Sequence, residues 1–150
     1  LDAKETIDRI IGIFPTAEQN RIRASLASVL EGVISQRLVE TVDGGRIAAI
    51  EILKKSARIE QLILENRDYE ILDALFEGKD IYGTQTFDQA LIDLYEQKCI
   101  SEEVVMQNAT SPSDMKLKLQ GIGKGSVKVN KELLPEADDI FEFKDEEEEH

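Results

Sequence analysis

The residues that look most ready for chemistry are the glycines and the lysine of Gly121-Ile-Gly-Lys-Gly-Ser126. A phosphate loop has the pattern G-x-x-x-x-G-K-[ST] between a strand and a helix, because its backbone N–H groups and its lysine hold the phosphates of a nucleotide. Here the spacing differs, no predicted strand comes before the run, and no amphipathic helix follows it. The pattern G-x-x-x-x-G-K-[ST] occurs nowhere in the chain. We therefore interpret residues 121–126 as a flexible linker and expect no cofactor site in this chain.

The chain also offers few residues suited to nucleophilic catalysis or metal binding. The one histidine, His150, is the last residue, so the folded region can form no Ser-His or Cys-His pair. Cys99 is the one cysteine, which leaves it without a partner for a disulfide or for a zinc site. Asp88 and Asp93 fall at helical positions, where carboxylates are usually solvated or favour the helix dipole. We therefore expect neither catalytic nor metal-binding residues, and predict that the isolated chain is not an active enzyme.

The charge of the chain is strongly negative and unevenly distributed. The formal net charge of the 150 residues is −13, and residues 126–150 hold three lysines against ten acids, a balance of −7. Such a field repels phosphate backbones and anionic lipids, so we expect no nucleic-acid partner. No apolar run approaches the roughly 20 residues that span a bilayer, and no signal-peptide pattern is present. We therefore expect a cytoplasmic protein without direct membrane insertion.

The apolar spacing predicts the elements that would position any functional residue, and the first are two helices. A capping box at residues 2–5 opens a short helix that Pro15 stops. A second capping box at residues 16–19 opens a helix that we expect to reach about Ser35. Each of these helices carries one apolar face.

A β-hairpin at about residues 37–53 is predicted to follow. Two β-rich runs flank Asp43-Gly-Gly45, which suits a short hairpin turn. Ile47, Ala49, Glu51 and Leu53 share one side of the second strand. Because most of this strand is apolar on both sides, we expect the hairpin to need neighbouring structure.

Residues 56–120 are predicted to form a bundle of four or five short helices. One of these helices should start at Asp68, carry the apolar residues Ile71, Leu72, Leu75 and Phe76, and end at Gly78. Residues 123–150 are predicted to be a flexible acidic tail, because like charges repel and the segment offers little apolar area. The chain thus divides into a folded part, residues 1–122, and that tail.

Three segments, in order along the chain, carry a recognisable pattern. The first begins Ala3-Lys-Glu-Thr-Ile-Asp-Arg-Ile-Ile-Gly-Ile-Phe-Pro15 and runs on to Gly32-Val-Ile-Ser-Gln-Arg-Leu38. The second, Gly83-Thr-Gln-Thr-Phe-Asp-Gln-Ala-Leu91, resembles the motif G-M-Q-T-[FMLI]-D-Q-A-L with Thr84 in place of methionine. The third extends from Ile100-Ser-Glu-Glu to Ser111-Pro-Ser-Asp-Met115. Together they resemble the type IV pilus retraction ATPases of the PilT/PilU family over about residues 3–122.

This resemblance implies a mainly helical fold with one hairpin, as the C-terminal portion of a RecA-like α/β ATPase domain. It implies a parent protein that is a hexameric motor, binds ATP and Mg, and powers pilus retraction and twitching motility in the bacterial cytoplasm. The implied partners are the nucleotide-binding half of the same protein, neighbouring subunits and the inner-membrane platform of the pilus. The family's phosphate loop, Walker B acid and His-Thr box are missing here, so the chain would serve in structure, subunit contact and force coupling. The alternative is a stand-alone, non-enzymatic helical adaptor, and the choice between PilT and PilU stays open.

The resemblance also implies a set of coupling residues. The family's retraction-linked motif A-I-R-N-L-I has its counterpart in Arg58-Ile-Glu-Gln-Leu-Ile63, where arginine replaces alanine and glutamate replaces arginine. Its apolar residues are more simply interpreted as helix core than as a partner contact. Arg37 lies between the second helix and the hairpin, where it either pairs with a carboxylate or contacts the nucleotide-bearing half or another subunit. The candidate coupling or interface residues are Arg37, Arg58, Ile59, Glu60, Gln61, Leu62 and Ile63.

Overall fold

The structure, a computed structural model, describes residues 1–124 and their side chains as far as residue 121. These residues form eight α-helices and one antiparallel hairpin. The elements are α1 (Ala3–Gly12), α2 (Gln19–Val29), β1 (Gly32–Glu40), β2 (Arg46–Lys54), α3 (Ala57–Leu64), α4 (Ile71–Glu77), α5 (Lys79–Tyr82), α6 (Phe87–Glu96), α7 (Glu102–Asn108) and α8 (Pro112–Lys124). The predicted class, mainly α with one hairpin, is confirmed. No helix in this part of the chain is long and apolar enough to cross a membrane.

The first two helices follow their sequence signals only in part. The Asp2 side chain caps α1 by accepting from the Glu5 N–H at 2.7 Å. The predicted extension of the second helix to Ser35 is wrong, because α2 ends at Val29 and β1 begins at Gly32. Residues 32–35 pair instead with residues 51–54 of β2. These residues join the strand ladder, and Val29, at the end of the helix, is 67% exposed.

The hairpin covers the helices with one face only. Its register pairs Gly32 with Lys54 and Glu40 with Arg46, so the strands are longer than predicted and a five-residue loop, 41–45, joins them. Gly44 adopts a φ of +86° in that loop, a conformation that favours glycine. The inner face buries Val39, Ala49, Glu51 and Leu53. The outer face leaves Ile34 and Leu38 76% and 57% exposed.

Two hydrophobic cores meet along β2. The first joins α1, the end of β2, α3 and α4, with Ile7, Leu53 and Leu75 among its buried members. The second joins the middle of the hairpin to α6, α7 and α8, with Phe87 and Met115 among its members. Because both cores use the inner face of β2, this strand connects the first and second halves of the domain.

A buried ion pair holds α2 against the turn before α4. The Arg23 Nη1 donates to both carboxylate oxygens of Asp68 at 2.8 Å and to the Ile63 carbonyl at 3.1 Å. The Arg23 and Asp68 side chains are 12% and 7% exposed. Asp68 therefore begins a 3₁₀ turn, Asp68–Glu70, rather than capping the next helix directly.

Two further predictions in the helical part need correction, and one is confirmed. Of the four apolar residues predicted for this helix, Ile71 and Leu75 are buried in the core, whereas Leu72 and Phe76 are 39% and 48% exposed. The predicted end of this helix at Gly78 is confirmed, because α4 ends at Glu77 with Gly78 as its C-cap, and the short helix α5 follows. The predicted linker at residues 121–126 begins inside α8, which extends to Lys124, and the rest of the predicted acidic tail lies outside the described residues.

Candidate coupling and interface site

Arg37 packs inside the domain against an aromatic ring. It extends from the inner face of β1, and its Cζ lies 4.1 Å from the centroid of the Phe87 ring. Its Nη1 donates to the Asn108 carbonyl at 3.4 Å, at the end of α7. Within residues 1–121 no carboxylate forms an ion pair with it. A guanidinium over an aromatic face is attracted by the ring quadrupole, so Arg37 joins β1, α6 and α7.

Glu51 lies next to this pair and connects the starts of two helices. It is 2% exposed, and its Oε1 and Oε2 accept from the N–H groups of Ala3 at 2.9 Å and Phe87 at 3.4 Å. These are the first residues of α1 and α6, whose N–H groups have no partner within the helix and whose dipoles favour a negative charge. Burial raises the pKa of Glu51, while the two backbone N–H groups and Arg37 act to lower it.

Sequence reasoning placed Glu51 on the correct face of β2 but did not identify it as a site. The available signal was one acid among Ile47, Ala49 and Leu53 on a strand face that must be buried. A buried carboxylate requires hydrogen-bond donors, and both donors here come from distant parts of the chain. Only the fold could show which groups they are.

Residues 83–91, the second family-like segment, use their polar side chains to hold neighbouring elements. Gln85 forms a β-bridge with Ile52 through two backbone hydrogen bonds of 2.9 and 3.1 Å, and its Nε2 donates to the Ile50 carbonyl at 2.7 Å. Asp88 accepts from the N–H groups of Thr110 at 2.7 Å and Ser111 at 3.2 Å, directly before α8. The segment therefore pairs with the edge of β2 that faces away from β1, and it holds the start of α8.

The same segment also holds the end of α4. Thr86 and Gln89 form a capping box at the start of α6, and the Gln89 Nε2 donates to the Phe76 carbonyl at 3.1 Å. The Thr84 hydroxyl, where the family motif has methionine, is buried and donates to the Leu75 carbonyl at 2.8 Å. This substitution is therefore compensated inside the domain by a cap on α4.

The α3 motif has one buried side and one side that faces outward. Ile59, Leu62 and Ile63 are 4%, 3% and 1% exposed and belong to the first core. Arg58 and Gln61 are exposed, and Glu60 is half-buried. The Arg58 Nη1 contacts the Glu77 carboxylate at 2.5 Å, and the Gln61 Nε2 donates to Glu65 at 2.9 Å. The polar side of α3 is thus the part of the motif that a partner could reach.

The structure does not bring Arg37 and the α3 motif into one site. Arg37 lies over Phe87 in the second core, whereas the apolar motif residues lie in the first. Within the part of the chain that the structure describes, no group of three or more His, Cys, Asp or Glu side chains could hold a metal ion. The strand β2 contributes residues to both cores and is the element that they share.

Comparison with known proteins points to one group of relatives. No protein-family model matches the chain. It is 39% identical over 114 residues to a twitching motility protein of Neisseria gonorrhoeae, covering 75% of this chain and 30% of that protein. It is 36% identical over 112 residues to the type IV pilus retraction ATPase PilT of Pseudomonas aeruginosa, covering 75% of this chain and 32% of that protein. The chain thus spans less than a third of the length of either curated relative.

The fold comparison agrees with the sequence comparison. A crystal structure of the pilus retraction motor PilT with bound ADP superposes with a TM-score of 0.67 at 34% identity, covering 77% of this chain and 32% of that one. The motif order, the fold and these relatives together identify the chain as a relative of the PilT-like ATPases that corresponds to their C-terminal part.

Proposed function

We propose that this chain is the C-terminal part of a hexameric motor ATPase that powers type IV pilus retraction and twitching motility. Its role there is structural, with subunit contact and force coupling. The observation that carries the proposal is the match to the retraction motor PilT in both sequence and fold. In the proposed motor, ATP and Mg bind to the nucleotide-bearing half. The protein acts in the cytoplasm at the inner-membrane base of the pilus, and the platform there is its further partner.

Force coupling requires that a movement at the start of the domain reaches its far side. Glu51 provides such a connection, because its carboxylate holds the first N–H of α1 and the first N–H of α6 at once. Through Phe87, the same position is joined to Arg37 and to the end of α7. A segment that pulled on α1 would therefore act on β2 and α6 as well, since packed interiors transmit strain.

Subunit contact is proposed for the outward side of α3. Arg58 and Gln61 are exposed on a helix whose other side is fixed in the first core. Leu64, at the end of α3, is 54% exposed and adds an apolar contact beside them. A rigid helix that presents two polar groups and one apolar group can hold a partner surface without reorganising.

A chimera tests the proposal. Residues 1–150 would replace the matching C-terminal segment of Pseudomonas aeruginosa PilT, followed by measurement of ATP turnover, of assembly mass and of twitching in a strain that lacks its own PilT. We expect turnover and twitching to return. Arg58→Glu should reduce twitching, whereas Arg21→Glu, which reverses an exposed arginine on α2 (68% exposed side chain), should leave it unchanged.

A correctly folded chimera that assembles but supports neither turnover nor twitching would contradict the proposal. The isolated chain provides a second check. Purified residues 1–150 should hydrolyse no ATP above the buffer background. ATP turnover that persists after contaminating ATPases are removed would show that this chain itself carries a catalytic nucleotide site, which contradicts the proposal.

A further inference from the structure

A groove between α4, α6 and α8 exposes apolar side chains. Its volume is about 220 Å³, and all of its lining residues lie between Leu72 and Lys118. Leu72 and Phe76, on the outward side of α4, form its apolar part and are 39% and 48% exposed. Apolar side chains gathered in one groove are typical of a surface that binds another segment.

The same groove is acidic. Asp73, Asp88 and Asp114 line it against one cation, Lys118. The Lys118 Nζ lies 4.7 Å from the centroid of the Phe76 ring. In the part of the chain whose side chains the structure describes, neither this lysine nor any of the three carboxylates forms an ion pair. Such a groove fits a segment that carries both basic and apolar side chains.

The chain supplies such a segment directly after α8. The run Val127-Lys-Val-Asn-Lys131 holds two lysines and no acid, whereas all ten acids of residues 126–150 come at or after Glu132. The first part of the predicted acidic tail is therefore basic. In an extended chain Val127, Val129 and Lys131 share one side, because side chains alternate with a period of two.

We propose that residues 127–131 fold back along α8 and occupy this groove, with Val129 against Phe76 and Lys131 among the three carboxylates. The contact covers the exposed ring and brings positive charge to carboxylates that lack it. A shift that moved Glu132 into the groove would place an acid among acids, so charge selects this register. The inference does not depend on the proposed function.

The lengths of the two segments match. Asp114 lies ten residues before the end of α8 at Lys124, a distance of about 15 Å at the rise of a helix. After a turn at residues 125–126, residues 127–131 extend over about 15 Å. Lys131 thus returns to the level of Asp114. Gly121 leaves the path along α8 open, because a Cβ at this position would have nothing within 4 Å.

A short connection makes a weak contact sufficient. Exposed ion pairs contribute little by themselves, so a free peptide with this sequence would bind the groove poorly. In the chain only a two-residue turn separates the segment from α8, and such a tether gives an effective concentration on the order of millimolar. The contact therefore forms within one molecule and should not depend on protein concentration.

The test is amide hydrogen exchange of residues 1–150, followed by NMR at each residue and corrected for intrinsic rates. We expect residues 127–131 to exchange about three to ten times more slowly than residues 136–149 at low salt. The difference should shrink at about 1 M salt, where the Debye length falls to about 3 Å.

Two charge reversals locate the contact. Asp73→Lys should remove the protection, because Asp73 lines the groove. Asp80→Lys is the matched control and should leave the protection unchanged, since Asp80 is also an exposed acid in the first turn of a helix but does not line the groove. Lys131→Asp should remove the protection, whereas Lys144→Asp should not. Circular dichroism and thermal unfolding would establish that all four variants fold.

Equal exchange rates for residues 127–131 and 136–149 in the unaltered chain would overturn the proposal. Protection that survives either Asp73→Lys or Lys131→Asp in a folded variant would overturn it as well. Protection that grows with protein concentration would show that a second copy occupies the groove, which also contradicts a contact within one chain.

Discussion

Replacing Arg37 by methionine separates its packing from its charge. Methionine keeps an unbranched side chain of similar reach over Phe87 but removes the guanidinium that lies 4.1 Å from the ring centroid. It also removes the donor to the Asn108 carbonyl. If Arg37 serves chiefly inside the domain, the isolated chain should lose stability. If it serves chiefly at a subunit contact, the isolated chain should be unaffected.

The contacts of Arg37 indicate how much free energy of unfolding the substitution should remove. A half-buried cation–π contact contributes about 1–2 kcal/mol, and a neutral acceptor at 3.4 Å adds no more than about 1 kcal/mol. The thioether recovers part of this through its own contact with the ring. We therefore expect the free energy of unfolding to fall by roughly 1–2 kcal/mol, while Arg9→Met, an exposed change on α1, should stay within about 0.5 kcal/mol.

Glu51 makes this loss depend on pH. Its pKa is raised above the ordinary 4.5 in the folded state, so its contribution to stability is fully present below the unfolded value and is lost as pH rises through the folded value. Arg37 opposes the rise, and its removal should raise the pKa of Glu51 further. The cost of Arg37→Met should therefore be larger at about pH 7 than at about pH 4.

Urea unfolding followed by circular dichroism measures both effects. The midpoint should shift without a change of slope, which would show that stability rather than compactness had changed. A loss below about 0.3 kcal/mol at both pH values would refute the internal role of Arg37. An equal loss at both pH values would refute its coupling to Glu51.

Three other substitutions test the remaining contacts. Glu51→Gln should abolish the decline in stability that the buried carboxylate causes as pH rises. At acid pH it should lower the free energy of unfolding by about 1–3 kcal/mol, because one helix N–H then faces an amide NH₂ group. Urea unfolding at several pH values measures both effects. Gly78→Ala should lower the melting temperature, because its Cβ would lie 2.6 Å from the Thr84 hydroxyl, whereas Gly12→Ala, with nothing within 4 Å, should not. Arg23→Met should cost about 3–5 kcal/mol by leaving Asp68 buried without its partner, and adding Asp68→Leu should recover part of that loss in a double-mutant cycle.

Local capping chemistry was predictable from the sequence at four helices, although the capping box predicted at residues 16–19 does not form. Asp2, Ser56, Thr86 and Ser101 each accept from the N–H three residues later, as short-range patterns indicate. The inward side of β2 was also predictable, since a two-residue period fixes it. In these cases a few neighbouring residues contain the whole cause.

The errors arose where a distant partner decides the outcome. The segment Gly32-Val-Ile-Ser35 continues the apolar spacing of α2, but pairing with β2 outweighs helix propensity there. Phe76 fits the apolar pattern of α4, yet its ring lies outside the core with the Lys118 Nζ 4.7 Å from its centroid. The site at Glu51 was missed for the same reason, because its donors are 48 and 36 residues away along the chain.

Three residues that depart from the family pattern differ in whether they find a contact inside the domain. Thr84 replaces methionine and caps the Leu75 carbonyl, so the domain itself compensates the change. Arg58 replaces alanine and binds Glu77, again within the domain. Glu60 replaces arginine on the half-buried side of α3, and no side-chain hydrogen bond or ion pair within residues 1–121 involves it. In the proposed motor, the surface that meets α3 should therefore differ in charge from that of relatives with arginine at this position, and a basic group opposite Glu60 is the change that electrostatic complementarity requires.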